Sequence, residues 1–224
     1  MTNNKILSWQ DIRKHLKHPL ILATPVTLHL FRHAQSTVNA EKRIAGSQDV
    51  DLTPEGEKQA RVLGTQLDPA YNLAFASELK RAYRTLDIAI TSGNISVGSI
   101  YKDQRLNERN LGVLEGGKLR FIPEYAAGDL NYAPENGESY AQLAQRILSF
   151  LIDLAQVTQT SEVNKVLICS HIGSIRILVG IITENTSSVD VLGQRFGNTE
   201  LIKLDWQRLI IPEFIEKGLE VEID

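Results

Sequence analysis

The chain has 224 residues, 42% of them hydrophobic and 23% charged, enough for a sizeable core and within the range of one domain. A net charge of −3 and a pI near 6.0 give no basic field for nucleic acid or anionic lipid. Cys169 is the single cysteine, which excludes an internal disulfide and suits a reducing compartment; no apolar run approaches the ~20 residues of a membrane span.

The N-terminal segment lacks the apolar stretch of a secretory signal, and Asp11 with few Ser and Arg argues against a transit peptide. A cytoplasmic protein is expected, with neither nucleic acid nor membrane as partner. Ser8 can cap a helix over residues 9–17 that places Trp9, Ile12 and Leu16 on one face. His15 and His18 lie three apart on it, but no third ligand is near in sequence, so a solvated face is expected rather than a metal site. Residues 19–25, bounded by Pro19 and Pro25, read as a connector, which makes 1–25 an N-terminal extension and 26–224 the main domain.

Thr27 to Phe31 reads as a short buried strand, with Arg32 and His33 just past its end. In an open α/β sheet, ligands gather at the carboxyl ends of strands. Thr53, Pro54 and Glu55 are a helix start signal, with the helix running to about Leu67. Leu73 to Ser77 is a second strand, and Glu78 to Thr85 opens a helix carrying Arg81. Ile95 to Tyr101 is a third strand. Gly112 to Lys118 spells G-x-x-x-x-G-K, but Leu119 stands where a P-loop needs Ser or Thr, and no apolar strand directly precedes it. Ser139 or Glu138 caps a helix with Leu143, Ile147, Leu148 and Leu151 on its apolar face. Lys165 to Ser170 is the clearest buried strand, followed by His171 and an apolar helix over 175–182. Phe196 to Leu204 reads as the last strand. The alternation of strands and helices predicts an α/β fold.

The segment from Leu30 to Asn39 resembles the Arg-His-Gly-Glu/Gln-Ser/Thr signature of the histidine phosphatase superfamily, the phosphoglycerate mutase-like enzymes, with Ala34 in place of Gly. Asp49, Leu52, Thr53, Gly56, Gln59 and Ala60 match a second pattern of that family, and Ser77, Leu79, Arg81, Ala82 and Thr85 a third. Glu108 follows Leu-x as the family's acid does, and Gly112 and Glu115-Gly116 fit behind it. His171 to Arg176 is similar to the second histidine motif, Ser-His-Gly-x-x-x-Arg, with Ile172 replacing Gly. The resemblance covers roughly residues 26–204 and implies a three-layer α/β/α sandwich on a mixed, mostly parallel sheet. It also implies a metal-independent reaction with no cofactor, in which His33 is the nucleophile, Glu108 the proton donor, and Arg32, Asn39, Arg81 and His171 hold the phosphate.

These residue types suit that chemistry. Arginine forks match phosphate oxygens, and an imidazole must be neutral to attack. Glu108 needs a proton at neutral pH to protonate a leaving alkoxide, and Glu115 is its reserve. The expected substrate is a small organic phosphate. Hydrolysis is the leading reading, phosphoglycerate mutase the second, and a catalytically idle phosphate-binding relative the third. The connection from Lys118 to Glu138 carries two basic and four acidic side chains, which would repel a doubly anionic substrate. Leu111 and Gly173 replace a tyrosine and an asparagine of the mutases. Arg109 and Lys118 point the other way, because both resemble mutase residues. Phe121, Tyr125 and Tyr132 offer an apolar wall.

Overall fold

The computed structural model describes residues 5–219. The helix α1 (Trp9–His15) starts where Ser8 Oγ accepts the Asp11 N–H, and it buries Ile12. β1 (Leu20–Arg32) is longer than its sequence suggests. Leu20 and Ile21 pair with the last strand before an irregularity between Ile21 and Val26. Proline has no N–H for a ladder and is tolerated at such a break, so Pro25 interrupts the pairing without ending the strand. All of the residues read as a connector except Pro19 are therefore strand, and the boundary drawn between 25 and 26 falls inside β1.

α2 (Thr37–Ala40) is a single turn closed by a reciprocal cap between Ser36 and Asn39. α3 (Pro54–Gly64) starts at Thr53 as expected, its hydroxyl accepting the Gly56 N–H. Then come β2 (Ala70–Ala76), α4 (Lys80–Gly93) and β3 (Ser96–Lys102). After two short 3-10 turns and α5 (Pro123–Ala126), the long α6 (Tyr140–Thr160) begins at a capping box of Ser139 and Gln142. The chain closes with β4 (Lys165–Ser170), α7 (Ile172–Ile182), α8 (Ser188–Gly193), β5 (Leu201–Leu209) and α9 (Glu213–Leu219).

The five strands lie in the order β3-β2-β4-β1-β5, all parallel except β5. Side chains alternate across the sheet and build a core on each face. Leu28, Leu30, Val166 and Ile168 pack with α6 and α7. Phe31, Leu167 and Cys169 face Ala82, Leu86 and Ala89 of α4 and Leu63 of α3. The result is a three-layer sandwich on a mixed sheet. Ile12 and Leu16 join the first core, so α1 packs on the same body. Because β4 lies between β1 and β2, the chain leaves β1 in one direction and returns to its other side at β5. That reversal opens a crevice at the carboxyl ends of β1 and β4, the place where open α/β sheets bind ligands.

Candidate active site

Arg32 pairs with Ser170 across β1 and β4, and the next residue on each strand is a histidine. His33 and His171 therefore meet in the crevice, their ring centroids 5.1 Å apart. The His33 N–H extends the ladder by donating to the Ser170 carbonyl at 2.9 Å. Its ring Nδ1 lies 2.7 Å from the Ala34 carbonyl, which can only accept, so Nδ1 carries the proton and Nε2 the lone pair. Burial first, then the Arg81 and Arg32 cations, hold the ring well below the ordinary imidazole range. His33 is neutral at pH 7, with its lone pair pointing into the site.

The backbone here is held from the far side. Asn198 Nδ2 donates to the His33 carbonyl at 2.7 Å, and Arg32 Nη1 donates to the Phe196 carbonyl at 3.1 Å. The residues expected to begin the last strand are thus a loop that grips the end of β1, and β5 proper starts at Leu201. Arg32 Nε is buried without a partner among the described residues, a donor that a ligand oxygen would satisfy.

Arg81, in the first turn of α4, is 1% exposed. Its Nε donates to His33 Nε2 at 3.2 Å, while Nη1 and Nη2 donate to the carbonyls of Gln48 and Gly46 at 2.6 and 2.7 Å. Burial lowers its pKa to about 10, so it stays a cation at pH 7. The loop supplying those carbonyls is fastened by Glu115, whose Oε1 accepts from Ser47 N, Ser47 Oγ and Leu111 N at 2.7, 2.9 and 2.9 Å. Gly46 is required for this. It has φ +52°, and a Cβ there would sit 2.1 Å from that same oxygen. Glu115 accordingly ties these loops together.

His171 is fully buried. Ser77 Oγ donates to Asn107 Oδ1 at 2.7 Å, so it must accept from His171 Nε2 at 2.7 Å. The remaining ring nitrogen, Nδ1, has no partner among the described residues and, in a neutral ring whose Nε2 donates, carries no proton. Burial and then Arg81 keep this ring too well below the usual imidazole range. The free protein therefore holds His171 neutral, whereas a phosphate anion would favour a proton on Nδ1 that could point at it.

Glu108 reaches the first turn of α7. Its Oε1 accepts from Arg109 N at 2.9 Å and its Oε2 from Gly173 N at 3.2 Å. A Cβ on Gly173 would come within 2.3 Å of the carboxylate, so glycine is what admits Glu108 there. Asn39 Oδ1 serves the α2 cap, which leaves the amide NH2 free to donate.

Arg32, His33, Asn39, Arg81 and Glu108 line one cavity of about 190 Å3, with His171 buried beside His33. All six residues expected at the site are together. Ala34 is buried behind His33 with negative φ, so its methyl is accommodated without narrowing the cavity. Ile172 does line it, as an apolar wall.

The outer half of the cavity differs from the expectation. Arg109, Arg120 and Arg176 all line it, together with Tyr125 and Tyr140. Arg109 is 3% exposed, with its guanidinium 3.6 Å from the Tyr140 ring centroid and 4.6 Å from that of Tyr125. The acids of the 118–138 connection are elsewhere. Glu138 pairs with Arg146 at 2.7 Å, and Asp129 caps the Asn131 and Tyr132 N–H groups. A net-negative connection thus leaves a strongly cationic pocket, because charge counted along a segment says nothing of where each side chain points. Lys118 lies outside the cavity, beside Val113 and Ile44. Tyr132 packs edge-on against Tyr125 and does not reach it.

The profile of the histidine phosphatase superfamily (branch 1) matches residues 28–209. The chain belongs to this superfamily. Among its relatives is the 2,3-bisphosphoglycerate-dependent phosphoglycerate mutase of Cytophaga hutchinsonii, 34% identical over 161 residues, spanning 68% of this chain and 75% of the relative. The mycobacterial glucosyl-3-phosphoglycerate phosphatase superposes with a TM-score of 0.66 at 25% identity, covering 81% of this chain and 91% of that one. The α-ribazole phosphatase of Shigella flexneri gives 0.67 at 23% identity, over 83% and 96% of the two chains, a likeness of fold alone. Superfamily membership makes this a phosphatase or mutase type of protein, and no described helix is long and apolar enough to cross a membrane.

Proposed function

We propose that this protein is a phosphomonoester hydrolase working through a phosphohistidine at His33. The observation that carries the reading is a neutral imidazole whose Nε2 lone pair faces Arg81 and a cavity that Arg32 also lines. A phosphate dianion entering there is held by both guanidinium groups and by the Asn39 amide. A phosphate oxygen accepts better than a neutral imidazole, so it takes the Arg81 Nε–H and frees the lone pair for attack. As the Nε2–P bond forms, the bond to the leaving oxygen breaks, and Glu108 passes its proton to that oxygen. Water then attacks phosphorus, Glu108 takes the water's proton, and phosphate leaves with His33 restored. His171, once protonated at Nδ1, adds a third cationic donor to the same oxygens.

Hydrolysis needs water at the phosphohistidine. Residues 117–121 are exposed, Leu119 to 67% and Phe121 to 77%, and of these five Leu119 and Arg120 alone border the cavity. That thin cover favours hydrolysis over retention of the phosphoryl group. The mutase reading keeps support from the 34% identical relative and from the arginines of the outer cavity. The test is rapid-quench labelling of the wild type and His33→Ala, followed by 3-phosphoglycerate supplied with catalytic 2,3-bisphosphoglycerate. Acid-labile label only in the wild type, with phosphate release outpacing isomerisation, is the expected result. Isomerisation much faster than release makes the protein a mutase, and label in the Ala variant moves the nucleophile.

A further inference from the structure

The inner cavity does not end at its own rim. Arg120, Ile122, Tyr125 and Arg176 also border a second cleft of about 520 Å3, which Leu192 at the end of α8 and Arg195 just beyond it line as well. At about 190 Å3, the inner cavity is smaller than the ~300–1,000 Å3 usual for a whole organic ligand, whereas the two spaces together reach that range.

The cleft has a definite chemistry. Phe121 and Val189, 77% and 49% exposed, line it together with the less exposed Ile122 and Leu192, which gives the cleft an apolar lining. Its charged residues are Arg120, Arg176 and Arg195, and among the described residues no carboxylate lines it. Arg176 is held in place, Nε donating to the Gln194 carbonyl at 2.8 Å and Nη1 to Tyr140 Oη at 3.1 Å, and Nη2 is uncommitted among the described residues. Among the described residues, neither Arg120 nor Arg195 has a hydrogen-bond or ion-pair partner. Three cations gathered around an apolar floor repel one another until an anion arrives.

Building on the hydrolase reading above, we propose that this cleft receives the leaving group, and that the substrate is a phosphomonoester with an apolar body and a second anionic group at its far end. The phosphoryl end sits on Arg32 and Arg81. The body passes the shared rim of Arg120, Ile122, Tyr125 and Arg176 and lies against Phe121 and Leu192, and the distal anion, a carboxylate or a phosphate, meets Arg195. A three-carbon acid remains within the inner cavity and leaves Arg195 unused. Arg195 is thus a specificity residue with no part in the chemistry.

The test uses phosphonates, which bind without turning over. Calorimetry compares phenylphosphonate, a long arylalkyl phosphonate ending in a carboxylate, and the same compound ending in a neutral amide. The carboxylate compound should bind about tenfold or more tightly than the amide, the worth of one charge-assisted contact. Arg195→Ala should abolish that preference while leaving phenylphosphonate affinity and turnover of phenyl phosphate unchanged. Phe121→Ala should weaken both long compounds alike. Equal binding of carboxylate and amide in the wild type, or a preference that survives Arg195→Ala, overturns the proposal. Preferential binding of the carboxylate compound in a protein that releases no phosphate from any monoester supports the subsite and sinks only the hydrolase reading.

Discussion

Arg81→Met removes a buried cation that, among the described residues, is bonded to no carboxylate, since its fork is spent on two backbone carbonyls and His33. Burial shifts Arg81 from 12.5 to about 10, so keeping its charge costs the fold about 3 kcal/mol. Against that gain, the Gly46 and Gln48 carbonyls lose their donors, at about 1–3 kcal/mol each. The two effects nearly cancel, and the free variant should melt within about 5 °C of the wild type, at roughly 2–4 °C per kcal/mol for a chain of this length. The liganded proteins should differ far more. Vanadate or phosphate at about 100 times its Kd should add about 2.7 kcal/mol to the wild type, which is about 5–10 °C. Most of that shift should vanish in Arg81→Met. Thermal denaturation at pH 7, with and without the anion, reads both quantities. A free variant melting more than about 10 °C low would make Arg81 a structural residue. A full anion shift in the variant would remove it from the phosphate site.

Glu108→Gln should slow alkyl phosphates by about 10²–10⁴ while sparing nitrophenyl phosphate, which leaves without a proton; equal losses on the two would contradict the acid assignment. Glu115→Ala should loosen the loop that clamps Arg81 and cost about 10–100-fold on both leaving groups, together with weaker vanadate inhibition; a loss confined to alkyl phosphates would make Glu115 the acid instead. Stability should fall in acid. His33 and His171 have depressed folded pKa values, so below about pH 6.5 the unfolded chain binds more protons and each ring forfeits up to about 1.4 kcal/mol per pH unit until its folded pKa is reached. Urea midpoints from pH 7 to 5 should show this, with a shallower slope in His171→Gln, and an unaltered slope would mean that His171 is not held neutral.

Much of this site was legible in the chain because its elements announce themselves locally. The apolar runs before Arg32 and His171, the Thr53-Pro54 start and the Ser139 cap are signals a few residues long, and each lies where those residues predict. The spacing of His33, Arg81, Glu108 and His171 along those elements carried the resemblance, and the family profile agrees. What local signals misreport is set by partners far away in sequence. Pro25 looked like the end of a connector because only the pairing of Leu20 with Leu209 shows that the strand continues past it. The short helices α2, α5, α8 and α9 are too brief for periodicity to reveal.

Tertiary structure alone decided the rest. Insertion of β4 between β1 and β2 sets the two histidines side by side, a pairing across 138 positions that no local pattern contains. The tautomer of His33 depends on where the Ala34 carbonyl turns, and that of His171 on a relay through Ser77 to Asn107. The charge of the pocket depends on side-chain direction. Arg109, Arg120 and Arg176, from three separate segments, turn into it, while the acids of the 118–138 connection turn to Arg146, to backbone N–H groups or to water. The sequence determined which chemical groups this protein owns and which elements carry them. The fold decided which of them share a desolvated space, and burial there, more than residue type, sets their protonation and their reach toward a ligand.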